Sequence, residues 1–269
     1  MKIGIHGING KMGRAIAHEL VHYEDCQLGA ASVRSGHAWV DKALGEVSDL
    51  PQKTLKPTAN IEYFVSQSDV VVDFTRPEAV LALLPICQKL NKPLLIGTTG
   101  FSAEGRKWIE QAAQSIPIIL AANTSLGVNV LLEIVQQVAK VLPKEIWDVD
   151  IFEAHHRDKM DAPSGTALRL GETIAKAQES VFNERKLYPY TQKRKPESIG
   201  FSVVRGGDIV GEHTVYFAKQ AERLEFTHRA TDRRIFAEGA IKAARWLKGR
   251  SSGLYTMADV LGFGTSSEL

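Results

Sequence analysis

The segment 153–167, EAHHRDKMDAPSGTA, gathers residues that can donate protons and bind anions. His155, His156 and Lys159 follow one another closely in its first half. Such a group is typical of a solvated surface segment. It also suits a small substrate that carries carboxylates, because each of these side chains can donate a hydrogen bond to a carboxylate oxygen.

The second half of this segment predicts the start of a helix. Ser164 is a preferred N-cap residue, and small or apolar residues follow it with helical spacing. Free N–H groups at a helix start bind carboxylates, so Gly165 and Thr166 form a candidate carboxylate site. Lys159 could then act as an acid toward an atom that receives hydride. A structural cap after a solvated charge run remains the alternative.

Two other kinds of site find no support in the sequence. His155 and His156 are adjacent, so in a strand they point to opposite faces, and no H-E-x-x-H spacing or nearby cysteine completes a metal site. Ser164 lies outside a G-x-S-x-G elbow, which disfavours a hydrolytic triad. Cys26 and Cys87 have no metal-type spacing and are expected to be reduced core thiols.

A second candidate site lies near the N-terminus, in GIHGINGKMGRAI. Gly7, Gly10 and Gly13 stand between a predicted strand and a predicted helix, where a dinucleotide fold needs close approach of the backbone to a pyrophosphate. Asn9 replaces the second glycine of the G-x-G-x-x-G pattern. The loop predicts a dinucleotide site, although a structural turn would also favour glycine.

The end of the second predicted strand indicates which dinucleotide is preferred. An NAD-selective site carries an acidic residue there for the ribose hydroxyls, but this chain has Val33 followed by Arg34. Arginine pairs well with a 2′-phosphate, so NADPH is predicted, with NADH possible but weaker. A solvated Arg34 is the alternative.

The elements that must position these residues fall into two patterns. Short apolar runs alternate with helical stretches in the first half, which predicts a Rossmann-type, doubly wound parallel α/β sheet. The loops 97–100 and 121–125 follow two of its strands, where ligands bind in such sheets. The second half predicts an α+β domain with a mixed, mainly antiparallel sheet. We expect a dinucleotide-binding domain over 1–125 and 234–269, and a substrate-binding and oligomerisation domain over 126–233.

Composition and charge exclude several classes of protein. The chain is 44% hydrophobic and 24% charged, with a net charge of +2, which gives no overall field for nucleic acid or a membrane surface. Its most apolar stretch is interrupted by polar residues, and it begins with a strand pattern in place of a signal peptide. We therefore expect a cytoplasmic protein with no nucleic-acid or membrane partner.

The chain resembles the dihydrodipicolinate reductase family, whose members reduce 4-hydroxy-tetrahydrodipicolinate. The blocks that carry the resemblance are HGINGKMGR, VVVDFTRPE, IGTTGFS, AANTSLGVNVLL, EAHHRDKMDAPSGTAL, RGGDIVGEHTVYFA and GLYTMADVLG. They run in order through nearly the whole chain, and EAHHRDKMDAPSGTA is the most specific of them. The resemblance implies NAD(P)H-dependent reduction of a cyclic imine-type dicarboxylate to tetrahydrodipicolinate in diaminopimelate and lysine synthesis, with loss of water at some stage.

The resemblance also implies roles for individual residues. His155 would be a proton donor and acceptor and Lys159 a second proton donor, while His156, Gly165 and Thr166 would hold substrate carboxylates. The implied cofactor contacts are Gly7, Ile8, Asn9, Gly10, Lys11, Met12, Gly97, Thr98, Thr99, Ala121, Ala122, Asn123 and Thr124. Family members are typically homotetramers built through the sheet of the second domain, so a homotetramer is expected.

The chain departs from the family pattern at two positions. Many relatives carry an acidic residue where this chain has Val33, which puts efficient use of NADH in doubt. Relatives often carry Phe where this chain has Thr124, which could alter the packing of the nicotinamide. Two other hypotheses are a dehydrogenase acting on another small dicarboxylate or imine, and a catalytically silent NADP-binding sensor or assembly subunit. The sensor is disfavoured because His155 and Lys159 are both present.

Overall fold

The computed structural model describes residues 1–191 and 193–264. The chain divides into two compact units, the first formed by Met1–Leu126 with Arg234–Leu269 and the second by Gly127–Arg233. The chain first passes from one unit to the other after residue 126, whereas the sequence predicts this boundary after residue 125.

The helices and strands of the described residues follow one another in a regular order. Up to residue 126 they are β1 (Lys2–His6), α1 (Lys11–Glu19), a 3₁₀ turn (Leu20–His22), β2 (Gln27–Ser32), α2 (Leu44–Val47), α3 (Ile61–Ser66), β3 (Val70–Asp73), α4 (Pro77–Lys89), β4 (Leu94–Ile96), α5 (Ala103–Ala113) and β5 (Pro117–Leu120). From there they are α6 (Leu126–Val141), β6 (Asp148–His155), α7 (Gly165–Ala177), α8 (Phe182–Arg185), β7 (Lys186–Leu187), β8 (Ile199–Arg205), β9 (Gly211–Lys219), β10 (Glu222–Ala230), α9 (Arg234–Leu247), β11 (Gly253–Tyr255) and α10 (Met257–Val260).

The first unit is built on a six-stranded parallel sheet in the order β11-β5-β4-β3-β1-β2. All four residues of β3 and all three of β4 are buried, as expected for parallel strands with both faces covered. The carboxyl ends of β1, β3, β4 and β5 are neighbours along one edge. The predicted Rossmann-type sheet is therefore confirmed.

Two helices of this unit begin at residues that favour a helix start. Pro77 is the first residue of α4, where its missing N–H has no cost, and the Ser102 hydroxyl accepts the Gly105 N–H at the start of α5. Helix α9 places Ala240 and Ile241 in the same core as Ile5. Cys26 and Cys87 are buried free thiols, and burial raises the pKa of Cys87 to about 12.

The second unit contains a five-stranded mixed sheet in the order β10-β9-β6-β8-β7. Strand β9 pairs antiparallel with both β6 and β10, whereas β8 pairs parallel with β6 and with β7. The glycines of Gly206-Gly207-Asp208 predict a turn between two strands, and a turn is present there, with Gly207 at φ +50°. It does not close a hairpin, because β6 lies between the two strands that it joins.

Helices α6 and α7 pack on one face of this sheet. Their buried residues, among them Val135 and Ile174, share a core with Ile151, Phe201 and Val215 of the strands. Since side chains alternate between faces along a strand, the same face carries Glu153 and His155 near the carboxyl end of β6. Within the described residues, no helix is both long and apolar enough to cross a bilayer.

Candidate active site

The glycine loop joins β1 to α1 by a tight turn. Gly7 has φ +77°, a left-handed conformation that favours glycine, and the N–H groups of Gly7 and Ile8 donate to the Ser32 carbonyl at 3.0 and 3.1 Å. Ile8 is fully buried, so its side chain belongs to the core. The loop is thereby fixed against the end of β2.

The backbone of this loop fits a pyrophosphate. A Cβ on Gly13 would lie 2.5 Å from the Gly7 carbonyl oxygen, so only glycine lets the helix approach the turn this closely. Gly10 is the N-cap of α1 and offers no side-chain acceptor, which leaves the first N–H groups of the helix, including those of Lys11 and Met12, for an anionic ligand. The donor set and the glycine cradle match the predicted dinucleotide site.

A fully buried carboxylate organises the edge of the sheet beside this loop. Asp73, the last residue of β3, accepts from the Thr98 hydroxyl at 2.6 Å and from the Thr75 hydroxyl and N–H at 2.8 and 2.9 Å. Nδ1 of His6 lies 2.5 Å from Oδ2 of Asp73, the oxygen that also accepts from the Thr75 hydroxyl. The backbone carbonyl of Asp73 accepts the Gly97 N–H at 2.8 Å. We refer to His6, Asp73, Thr75 and Thr98 as the Asp73 cluster. It ties together the loops that follow β1, β3 and β4.

The other predicted cofactor residues lie at the same edge. Residues 97–99 follow β4 and residues 121–124 follow β5, with the Ala121 N–H bonded to the Ile96 carbonyl at 2.9 Å. The side chain of Thr124, however, points away from this edge into the protein: it is buried, and its hydroxyl donates to the Phe236 carbonyl at 2.7 Å. The structure brings the backbones of these loops to one edge but commits the Thr124 hydroxyl to the protein interior.

The two residues that follow β2 differ sharply in exposure. Val33 is buried in the core, so it presents no polar group at the surface. Arg34 is exposed, and its guanidinium has no hydrogen bond or ion pair to another described residue. The arrangement provides a cation and no carboxylate at this position.

A second buried carboxylate, Glu153 of β6, organises the other candidate site. Its Oε2 atom lies 2.6 Å from Nδ1 of His155, and its Oε1 atom accepts the Ser164 N–H at 2.9 Å. The Arg205 guanidinium donates to both oxygens, each at 2.7 Å. We refer to Glu153, His155, Ser164 and Arg205 as the Glu153 cluster. Arg205 reaches Glu153 because it lies opposite His155 in the register of β8 and β6.

The Glu153 cluster fixes the charge on its carboxylate. Burial alone would raise the pKa of Glu153, but the hydrogen bonds from His155, Arg205 and the Ser164 N–H outweigh it and lower the pKa to about 2. The carboxylate is therefore ionised at neutral pH. It accepts a hydrogen bond from Nδ1 of His155, so Nε2 is the ring nitrogen that does not bond to Glu153.

The start of α7 is held from the other side by His213. Ser164 caps the helix by accepting the Ala167 N–H at 3.2 Å, and its hydroxyl lies 3.1 Å from Nε2 of His213. The rings of His155 and His213 meet edge to face, with centroids 5.2 Å apart. Burial, followed by the neighbouring His155, lowers the pKa of His213 to about 3, so His213 is neutral at neutral pH.

Lys159 lies in the loop between β6 and α7. Its Nζ atom donates to Asp161 at 2.7 Å, and its backbone N–H donates to the carbonyl of His156 at 3.2 Å. Burial would raise the pKa of Asp161, but the Lys159 ammonium and the Gly165 N–H together lower it. The donors predicted for a substrate carboxylate, Lys159 and Gly165, therefore already interact with a protein carboxylate.

The structure thus brings His155, His156, Lys159, Gly165 and Thr166 into one strand-to-helix segment. Sequence reasoning missed the two buried carboxylates and their partners. Asp73 was detectable as a charge at the end of an apolar strand, and Glu153 as the residue two positions before His155, on the same face of a strand. Arg205 and His213 gave no local signal, because only the sheet brings them to Glu153.

A parallel Rossmann-type sheet with a glycine cradle, joined to a separate unit that carries a histidine and lysine site, defines a nicotinamide-dependent oxidoreductase. Models of the dihydrodipicolinate reductase family match both parts of the chain, the N-terminal model over residues 1–124 and the C-terminal model over residues 127–261. The chain belongs to the dihydrodipicolinate reductase family.

Relatives along the full length agree with this assignment. The 4-hydroxy-tetrahydrodipicolinate reductase of Hahella chejuensis is 47% identical over 264 residues, covering 97% of this chain and 98% of the relative. That of Nitrosomonas europaea is 46% identical, with coverage of 97% and 98%. The predicted activity, nicotinamide-dependent reduction of 4-hydroxy-tetrahydrodipicolinate in diaminopimelate and lysine synthesis, is confirmed.

Solved structures share the fold. Dipicolinate-bound dihydrodipicolinate reductase from Paenisporosarcina sp. TG-14 has a TM-score of 0.79 at 24% identity, covering 96% of this chain and 98% of that one. A probable dehydrogenase from Thermotoga maritima has a TM-score of 0.63 at 10% identity, with coverage of 97% and 92%. The similarity to the Paenisporosarcina reductase confirms the fold class predicted from the sequence.

Proposed function

We propose that this reductase prefers NADPH, and that His155 and Lys159 carry its proton transfers while His156, Gly165 and Thr166 hold the substrate carboxylates. The observation that carries the assignment of the proton-transfer and carboxylate-binding residues is the Glu153 cluster. A buried, ionised carboxylate orients His155 and the start of α7 at the same time, so the proton-transfer group and the carboxylate-binding N–H groups are fixed by one side chain.

His155 is suited to passing a proton back and forth. Its Nδ1–H bond to Glu153 fixes the tautomer and the orientation of the ring, so Nε2 is the nitrogen that can accept a proton and return it. The His155 side chain is only 12% exposed, which limits exchange with bulk water. The closely packed, neutral His213 adds no positive charge beside it.

Lys159 is suited to the remaining proton transfer. Reduction of the substrate takes up one hydride and one proton and releases one water, and when bound the nicotinamide cofactor supplies the hydride. The Nζ atom of Lys159 is held 2.7 Å from the Asp161 carboxylate, which places a proton donor beside the start of α7. A substrate carboxylate would replace Asp161 at the N–H of Gly165 and beside the ammonium, because it offers the same acceptor to the same donors.

The glycine loop is proposed to hold the pyrophosphate, and the loops 97–99 and 121–124 the nicotinamide end. Gly7, Gly10 and Gly13 permit the approach, and the first N–H groups of α1 supply the donors. Exposed Arg34 supports binding of a 2′-phosphate, and buried Val33 supports weaker use of NADH. Thr124 is proposed to contribute its backbone alone.

We further propose that the protein is a cytoplasmic homotetramer. The sheet face opposite α6 and α7 carries Phe152, Tyr216 and Val204, the last 42% exposed, and a second copy of this sheet would cover them. Val204→Glu should shift the species measured by sedimentation toward a smaller one. An unchanged species would contradict assembly through this face.

The experiment that tests the activity couples the purified protein to a synthase that supplies 4-hydroxy-tetrahydrodipicolinate. Nicotinamide absorbance is followed with NADPH and, separately, with NADH. Substrate-dependent oxidation that is faster with NADPH is expected. Equal rates with both cofactors would contradict the preference while leaving the activity intact, and tight NADPH binding without oxidation would support a silent sensor.

A further inference from the structure

The loop that follows β2 contains a tight turn beside the glycine loop. The His37 N–H donates to the Arg34 carbonyl at 3.1 Å, and Gly36 has φ +75°, which is the geometry of a type II β-turn. The two ends of such a turn lie within about 7 Å of each other. Arg34, proposed above to bind a 2′-phosphate, therefore has His37 as its neighbour.

The ring of His37 is held in a single tautomer. Its Nδ1 atom accepts the backbone N–H of Trp39 at 3.2 Å, and the indole of Trp39 meets the ring edge to face at 5.6 Å. A neutral imidazole has one acceptor nitrogen, and the backbone N–H of Trp39 already occupies it. The hydrogen of the neutral ring is therefore on Nε2, which is a donor.

A second donor meets Nε2 at the glycine loop. The Nδ2 atom of Asn9 lies 3.3 Å from Nε2 of His37. Two N–H donors cannot satisfy each other, so an acceptor that lies within reach of both would be shared by them, and a phosphate oxygen is the strongest acceptor that the proposed cofactor brings to this loop. Asn9 stands where the common pattern has glycine, so this side chain is an addition to the glycine loop.

We propose that His37 is a specificity-determining residue, which donates from Nε2 to the 2′-phosphate of NADPH alongside Arg34. The inference rests on the proposed cofactor site and deepens it. Arg34 supplies the charge, while His37 supplies a fixed, directional donor that a 2′-hydroxyl uses less well than a phosphate. Val33 is buried and apolar, so position 33 supplies no carboxylate to compete for either group.

The test uses two substitutions that separate the two ring nitrogens. His37→Asn keeps an acceptor at the position of Nδ1 for the Trp39 N–H but removes the group at Nε2. His37→Gln places an amide N–H near the position of Nε2. Dissociation constants of the full-length protein are measured by calorimetry for NADPH, NADH and adenosine 2′,5′-bisphosphate, with Arg34→Ala as the reference variant.

His37→Asn is expected to weaken NADPH and the bisphosphate about tenfold and to change NADH less than about twofold, because one hydrogen bond to a charged group is lost. His37→Gln is expected to recover most of that loss. Equal changes for NADPH and NADH, or no change, would overturn the inference. Selective loss without recovery in His37→Gln would assign the effect to ring packing on Trp39 and would also overturn it.

The same measurements separate this inference from the proposal beneath it. If Arg34→Ala weakens NADPH selectively and His37→Asn does not, the NADPH site stands and the role of His37 falls. If the unsubstituted protein binds NADPH no more tightly than NADH, the NADPH preference and the role of His37 fall together.

Discussion

Two buried carboxylates stand at the carboxyl ends of strands, one in each unit, and their partners differ. Asp73 is bonded to two threonine hydroxyls, a backbone N–H and one histidine nitrogen. Glu153 is bonded to a guanidinium at both oxygens, as well as to a histidine and a backbone N–H. Both side chains are fully buried, so burial alone does not distinguish them.

The difference in partners indicates a difference in task. The Asp73 cluster connects three loops through hydroxyl and backbone donors, which suits a rigid platform for the cofactor. The Glu153 cluster holds a charged carboxylate against Arg205 and aims it at the ring of His155, which suits control of proton transfer. Substitutions that remove one carboxylate at a time should therefore affect different kinetic constants.

The largest effect is expected from Glu153→Gln. His155 loses the acceptor that fixes its tautomer, and the Arg205 guanidinium loses its charge partner, so kcat should fall about 1000-fold. The free energy of unfolding should fall by about 3–5 kcal/mol, because a partly buried charge is left unpaired. Steady-state kinetics and urea denaturation measure the two effects.

The matched control is the double variant that carries both Glu153→Gln and Arg205→Leu. Removing both charged groups should recover part of the stability but not the turnover, since His155 still lacks its carboxylate. Turnover close to that of the unsubstituted protein in either variant would show that Glu153 does not position the proton-transfer group.

The next largest effect is expected from Lys159→Ala. Loss of one proton donor should lower kcat about 100-fold while the NADPH dissociation constant changes less than about twofold. Asp161→Asn leaves the ammonium in place and serves as the control, with a much smaller loss of kcat expected. Equal losses of turnover and cofactor affinity in Lys159→Ala would indicate a structural role.

A smaller and different effect is expected from Asp73→Asn. The amide NH₂ of Asn would face the donors of Thr75 and Thr98, and two donors cannot form a hydrogen bond. The loops after β3 and β4 should therefore be held less firmly, and the dissociation constants of the cofactors should rise about tenfold. Thr98→Val removes a single donor and should raise them about two- to threefold. If Asp73→Asn lowers kcat with unchanged cofactor binding, the contrast between the two clusters fails.

The smallest effect is expected on the pH dependence of stability, and it appears only in acid. The folded-state pKa of Glu153 is lowered from 4.5 to about 2, so its contribution to stability is complete above pH 4.5 and is lost as the pH falls through 2. The stability difference between the unsubstituted protein and Glu153→Gln should therefore narrow between about pH 5 and about pH 2.5. Urea denaturation at both pH values measures the stability difference between the two proteins. A difference that stays constant would show that Glu153 does not titrate in this range.

Much of the fold was predictable because its signals are local. Fully apolar strands such as VVVD predict a parallel sheet covered on both faces, and Pro77 and Ser102 mark helix starts by their own backbone preferences. The glycine loop and the segment 153–167 are likewise contiguous in sequence. The proton-transfer residues and the carboxylate-binding helix start could therefore be proposed without coordinates.

What the sequence could not determine depends on pairing between distant strands. The turn at 206–208 predicts neighbouring strands, yet β6 lies between β8 and β9, and this order is what places Arg205 and His213 on either side of Glu153. The tautomer of His37 follows from a contact with Trp39 and its tight turn. Residue types and local order set the chemistry available, whereas sheet order and register decided which groups meet, because those contacts join residues that are remote along the chain.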